Sequence, residues 1–136
     1  NAWRDAQEMF ERFHNREPFS TWDPAVLRDY CDYALRPADE GELRGLACDP
    51  VNEAGIYMSQ QGKEVLLGQL DRITMPVTLL RAPPSEDELP DFASSPTWPE
   101  LAAVLPDCRE VYLPQMNHFI PMQDPALVAR YIGEAR

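Results

Sequence analysis

Three of the fourteen prolines in this chain follow an aspartate directly, at Asp23-Pro24, Asp49-Pro50 and Asp124-Pro125. An aspartate side chain accepts hydrogen bonds from first-turn amides, and proline at the first helical position loses nothing by lacking an N–H. Apolar residues at helical spacing follow each pair, so each predicts a helix start. The spacing predicts a helix over 24–35, with Val26, Tyr30 and Tyr33 on one stripe, a second over 50–60, and a third from Pro125 to the end of the sequence. Another helix is expected over 2–15, where Trp3, Ala6, Phe10 and Phe13 share a face. Arg36-Pro37 closes the helix at 24–35. Residues 37–47 read as a polar loop with two glycines, and 63–71 as a short helical piece carrying Val65, Leu66 and Leu70.

The character changes after residue 72. Met75 to Ala82 is a compact apolar run of strand formers, and a continuous run fits a strand buried on both faces of a parallel sheet. Pro83 to Glu88 is a rigid acidic loop. Thr97-Trp-Pro-Glu100 reads as a capping box opening a helix through Leu105. Arg109 to Pro114 is a second strand, followed by a loop and the helix that starts after Asp124. The expected fold class is therefore α/β: residues 1–72 are helix and loop, and 73–136 form a βαβα unit with a right-handed crossover. Two parallel strands alone leave their outer edges unpaired and their apolar faces uncovered. The sequence thus calls for further strands, from another chain or from an N-terminal part of the same gene. That the sequence begins at Asn1 rather than Met agrees with a processed product or a piece of something longer.

Net charge excludes two partner classes. The chain carries −11 at neutral pH, and both nucleic acid and anionic membrane need clustered Lys and Arg. Three widely spaced cysteines, Cys31, Cys48 and Cys108, show no metal-ligand spacing and read as small core residues in a reduced compartment, which points to the cytoplasm. No apolar run is long enough to span a bilayer and no signal peptide is visible.

The residues with chemical potential cluster in the second half. His118 follows the second strand by four residues and precedes Asp124 by six. In open α/β sheets, ligands sit outside the carboxyl ends of the strands. A histidine there suits a general base, and the loop after the first strand, at the same edge, carries Glu86, Asp87 and Asp91. A carboxylate beside the imidazole would fix its tautomer and stabilise the imidazolium. The plainer alternative is a solvated loop histidine among solvated acids. His14, late in the first helix, reads as a cap for exposed carbonyls. Phe19, Trp22, Tyr30, Tyr57 and Met58 are candidates to line an apolar pocket, or simply core. None of Ser20, Ser59, Ser85, Ser94 and Ser95 stands in a Gly-x-Ser-x-Gly elbow, and no Asp or Cys has the equivalent setting. Gly-x-Gly-x-x-Gly and P-loop motifs are absent, so no nucleotide cofactor is implied, and no metal is either.

Three segments carry a family resemblance. Ile73 to Ala82, Phe92 to Ala102 and Asn117-His-Phe-Ile-Pro-Met-Gln-Asp-Pro-Ala-Leu-Val128 together resemble the C-terminal part of an α/β-hydrolase fold protein. Phe19 to Tyr30 and Cys48 to Tyr57 resemble the helical cap inserted in such proteins. The resemblance implies a cap at 1–72 and the C-terminal end of the hydrolase sheet at 73–136, with His118 as general base. It implies an acid after the preceding strand, Glu86 or Asp87 or a residue upstream, because Arg81 to Glu86 stands where the family usually has a Gly-x-x-Asp turn. Nucleophile and oxyanion-hole amides belong to the half before the cap. The implied activity is hydrolysis of an ester or a related bond on a small apolar substrate, with the chain inactive alone. The implied partner is the missing N-terminal half or a second copy. A non-catalytic module that dimerises through its open sheet edge is the rival reading.

Overall fold

The computed structural model describes residues 2–37, 43–58, 66–85 and 93–134, with only the backbone of Tyr57. The chain divides into two compact units, Asn1–Gln61 and Gly62–Arg136. The described elements mix helices with short strands, a generic α/β composition.

In the first unit, helix α1 (Ala6–Phe13) is capped by Asp5, whose side chain accepts the Glu8 N–H. Helix α2 (Pro24–Tyr33) starts as its Asp-Pro pair predicts: the Asp23 carboxylate accepts from Ala25 N at 2.8 Å and Val26 N at 3.4 Å. Trp3, Met9, Leu27 and Cys31 form the buried core, with Phe10, Phe13, Phe19, Trp22 and Tyr30 packed against it. The stripe on α2 differs from the expected one. Leu27 and Cys31 are buried while Tyr33 is 83% exposed. A one-residue misphasing turns a helix by about 100°, enough to exchange a core tyrosine for a solvent one. Cys31 is core, and burial pushes its thiol pKa up, so it stays protonated and inert. Cys48, by contrast, is exposed in the turn before the next helix, contrary to the reading of all three cysteines as core.

The segment expected as loop over 37–47 holds two strands in its described part. Strand β1 (Leu35–Pro37) pairs antiparallel with β2 (Arg44–Leu46), and Trp3 exchanges both backbone hydrogen bonds with Arg44, at 2.9 and 2.7 Å. The same bridge limits the first helix, which begins at Ala6 rather than at residue 2. Three-residue strands of Leu, Arg, Pro and Gly are too short for a readable alternation, and they form by pairing with each other, with Trp3 adding an isolated bridge to Arg44. Helix α3 (Pro50–Met58) begins after Asp49, whose carboxylate accepts the Val51 N–H at 2.7 Å. Its Val51, Ile56 and Met58 are exposed.

Glu8 links this unit to pH. It accepts the Arg4 backbone N–H at 2.8 Å and the Arg4 Nε at 3.1 Å, and these bonds, the backbone one first, hold its carboxyl below the usual range. The contribution is full above the unfolded-state value near 4.5 and is lost as pH falls through the lowered folded value. Glu8→Gln should therefore flatten the acid limb of urea stability against pH, modestly because the pair is exposed. An acid limb identical to that of the native chain would contradict this.

In the second unit Leu66 and Leu67 are helical and a 3-10 turn follows at Leu70–Arg72; residues 63–65 of the helical piece expected over 63–71 lie outside the described residues. Strand β3 (Val77–Arg81) pairs parallel with β4 (Cys108–Tyr112), Val77 opposite Cys108 and Arg81 opposite Tyr112. The connection holds helix α4 (Leu101–Val104), which lacks the expected capping box: its N-cap is Glu100 and no side chain caps it. Pro99 disfavours a helical Trp98, which delays the helix beyond Thr97. After β4 come helix α5 (Ile120–Gln123) and helix α6 (Pro125–Glu134). Asp124 caps α6 through Leu127 N at 2.8 Å. Asp124→Ala should cost about 0.5–2 kcal/mol in urea denaturation; a change below measurement error would remove the cap from the account.

Ala82, Leu113 and Ile120 are the buried core of this unit, with Leu80, Val111, Leu127 and Val128 around them. These strand residues alternate onto one sheet face, which α5 and α6 cover. The other face carries Leu79, Cys108 and Tyr112, and an Arg81–Glu110 ion pair whose guanidinium lies 4.8 Å from the Tyr112 ring centre. No residue of β3 or β4 is fully buried, so the strand expected to be buried on both faces is not. Two strands give each residue only one neighbour in the sheet, and both outer edges lack a partner strand among the described residues. No described helix is long and apolar enough to cross a membrane.

Candidate functional site

β3 and β4 run parallel, so the loops after them emerge at the same edge. Three backbone hydrogen bonds tie that edge together. Leu113 N donates to Arg81 O at 2.8 Å, extending the ladder past β4; Ser95 N donates to Pro83 O at 2.8 Å; His118 N donates to Ala93 O at 2.6 Å. The returning part of the β3–α4 connection, 93–97, is thereby anchored to the loop that carries His118.

The His118 loop has its own scaffold. Asn117 Oδ1 accepts the Phe119 N–H at 2.9 Å, a side-chain-closed turn of the kind asparagine favours. Gln123 Oε1 accepts the Asn117 N–H at 2.8 Å, bracing the loop from α5. Ile120, buried, roots α5 in the core. The His118 ring itself is exposed and makes no hydrogen bond to a described residue; its neighbour is the Phe119 ring, 5.4 Å away at 56°. Such an imidazole is held at its backbone while its ring faces solvent.

A cavity of about 210 Å³ lies beside it. Leu80, Ala82, Ile120 and Val128 give it apolar walls, and Ser95, Thr97 and His118 contribute its polar groups. A larger open groove, about 640 Å³, runs between α6 and the strands, bordered by Val77, Asp107, Arg109 and Ile132. Asp107 and Val77 stand at the amino ends of the strands, the end where parallel sheets do not hold their ligands. Its charged groups are partly spent as well: Arg109 lies 4.0 Å from Glu134 and faces the Tyr131 ring. The smaller cavity is the better site for chemistry.

Of the residues singled out from sequence, His118 stands at the carboxyl-end edge. Glu86, Asp87 and Asp91 lie outside the described residues, as does the Tyr57 side chain. Phe19 and Trp22 belong to the first unit, where Phe19 stacks on Phe13 at 4.3 Å and lies 5.0 Å from Trp22. His14 ends α1, stacked on Phe10, with Nδ1 3.2 Å from Phe10 O and Nε2 2.8 Å from the Asn15 amide nitrogen. Sequence reasoning missed Ser95 and Thr97, which face the cavity, and the bracing pair Asn117 and Gln123. Asn117 left a readable signal, an asparagine directly before the histidine; Ser95 and Thr97 left none, because their placement depends on the long-range bonds to Pro83 and His118.

No family model, curated protein or solved structure matches this chain.

Proposed function

We propose that this chain is the cap and C-terminal part of an α/β-hydrolase-fold enzyme, with His118 as general base in the hydrolysis of an ester or a related bond. The observation that carries the reading is the exposed imidazole at the carboxyl-end edge of a parallel strand pair, backbone-anchored to Ala93 and beside a partly apolar cavity. The resemblance of 73–82, 92–102 and 117–128 to the C-terminal part of that family supports it. In the assembled enzyme His118 takes the proton from a nucleophilic hydroxyl, or from water, as that oxygen attacks the carbonyl carbon. It then returns the proton to the leaving oxygen. Glu86 or Asp87 is proposed as the carboxylate that orients the ring, residues 1–72 as the cap over an apolar pocket that includes Phe19, Trp22 and Tyr57, and the cytoplasm as the compartment.

The nucleophile is assigned to polypeptide outside these residues, and the outer edges of β3 and β4, which have no partner strand among the described residues, favour such a complement. The same edges favour the rival reading, a non-catalytic module that closes its sheet with a second copy. Native mass spectrometry combined with ester turnover separates the two. A complex containing a polypeptide with a Gly-flanked Ser or Asp, and turnover that needs His118, supports the enzyme. A homodimer without turnover, or turnover indifferent to His118, overturns it.

A further inference from the structure

We propose that Gln123 is a positioning residue for His118, an inference that rests on the hydrolase reading and adds to it the residue that aims the base. Three consecutive backbone N–H groups around the histidine are each held by a different acceptor. Asn117 N donates to Gln123 Oε1 at 2.8 Å, His118 N to Ala93 O at 2.6 Å, and Phe119 N to Asn117 Oδ1 at 2.9 Å. The peptide planes on either side of the His118 Cα are thereby both pinned. Two pinned planes fix the direction of the Cα–Cβ bond between them, and only χ1 and χ2 are left to the ring.

Gln123 stands at the start of that relay. Its bond sets the peptide plane ahead of Asn117, and an Asn117 backbone so oriented presents Oδ1 to Phe119 N. Gln123 itself rests on firm ground. Its own N–H and that of Met122 both donate to Phe119 O at 2.9 Å, and Ile120, at the start of the same helix α5, is buried. The next residue, Asp124, donates its N–H to Ile120 O at 3.0 Å and caps α6 through Leu127 N at 2.8 Å. The aim of His118 is in this way referred back to α6 through a closed stretch from Asn117 to Gln123. A general base has to come within about 2.6–3.2 Å of the atom whose proton it takes, and a 1 Å misplacement can cost about 100-fold in rate. A brace on the backbone supplies that accuracy without touching the ring.

The test compares Gln123→Met, close to glutamine in length but without the acceptor, with Gln123→Glu, which keeps a side-chain oxygen. Amide hydrogen exchange is read by NMR on the full chain. Gln123→Met should speed exchange about 5-fold at Asn117 and at least about 2-fold at Phe119, and Gln123→Glu should restore both. Native exchange at Leu127 and Val128 shows α6 intact; Gln123→Lys, also without an acceptor, serves if Gln123→Met disturbs it. In the assembled enzyme Gln123→Met should lower kcat about 3–30-fold with KM within about 2-fold of native, and Gln123→Glu should recover most of the loss. Exchange unchanged in Gln123→Met overturns the brace, and equal effects of Met and Glu overturn it in favour of packing. Because exchange is read without turnover, the two proposals fail distinguishably. Turnover lost in His118→Ala but native in Gln123→Met removes the positioning role alone. Turnover unchanged in His118→Ala removes the general base, and the positioning role falls with it whatever the exchange pattern.

Discussion

His118→Ala should lower ester turnover of the assembled enzyme by about 10²–10⁴-fold while leaving the stability of the second unit within about 1 kcal/mol of native. Both halves follow from the local geometry. The ring is exposed and makes no hydrogen bond to a described residue, so its removal leaves no cavity and no orphaned partner there. What orders the loop is the His118 backbone N–H on Ala93 O, together with the Asn117 turn and the Gln123 brace, and alanine keeps all of them. The turnover loss should fall on kcat and kcat/KM alike, because a general base acts in the transition state rather than in substrate binding. Asn117→Ala offers a contrast. It removes the acceptor for Phe119 N and loosens the loop, so it should reduce turnover less and stability more than His118→Ala. Urea denaturation and steady-state kinetics on the two variants decide the matter. Unchanged turnover in His118→Ala would end the general-base assignment.

Leu27→Ala should destabilise the first unit by about 2–5 kcal/mol. Leu27 is 2% exposed and lies one helical turn from Cys31 and against α1, in a core that among the described residues is Trp3, Met9, Leu27 and Cys31. Truncation removes transfer free energy and leaves a void that the fixed aromatic ring contacts around Phe19 and Trp22 cannot readily fill. A unit of about sixty residues holds roughly 3–9 kcal/mol in total, so this one change consumes most of it. In a Trp98→Phe background, unfolding followed by the fluorescence of Trp3 and Trp22 reports this unit, and a midpoint shift equivalent to less than about 1 kcal/mol would mean that the core lies elsewhere. Tyr33→Ala is the control: at 83% exposure it should move stability by no more than about 0.5 kcal/mol, although the same stripe reading had placed it beside Tyr30.

The three Asp-Pro pairs were legible because the cap is a local device. Each aspartate accepts an N–H two or three residues ahead, so sequence alone contains both partners. Strand β3 was legible for a similar reason, as a compact apolar run bounded by proline and polar residues, and β4 largely coincides with the strand expected over 109–114. His118 was placed at the right edge because parallel strands force their following loops to one end of a sheet.

Other features depend on residues far apart in the chain. The phase of α2 was set by where α1 and Trp3 pack, so Leu27 and Cys31 went inside and Tyr33 outside. β1 and β2 pair with each other, Leu35 opposite Leu46, and Trp3 adds a bridge to Arg44 from far along the chain. Thr97 looked like a cap, yet Pro99 and the Ser95 turn used it otherwise. The cavity wall itself needed Ser95 drawn to Pro83 and His118 drawn to Ala93. By itself the sequence determined where helices start, which segments become the parallel strands and which histidine stands at their carboxyl ends, because those depend on bonds and periodicities within a few residues. Only the tertiary structure decided which helix face is buried, that a polar stretch becomes two strands, and which hydroxyls share a cavity with His118. Those outcomes follow from packing and backbone pairing between residues distant in sequence, which local pattern does not encode.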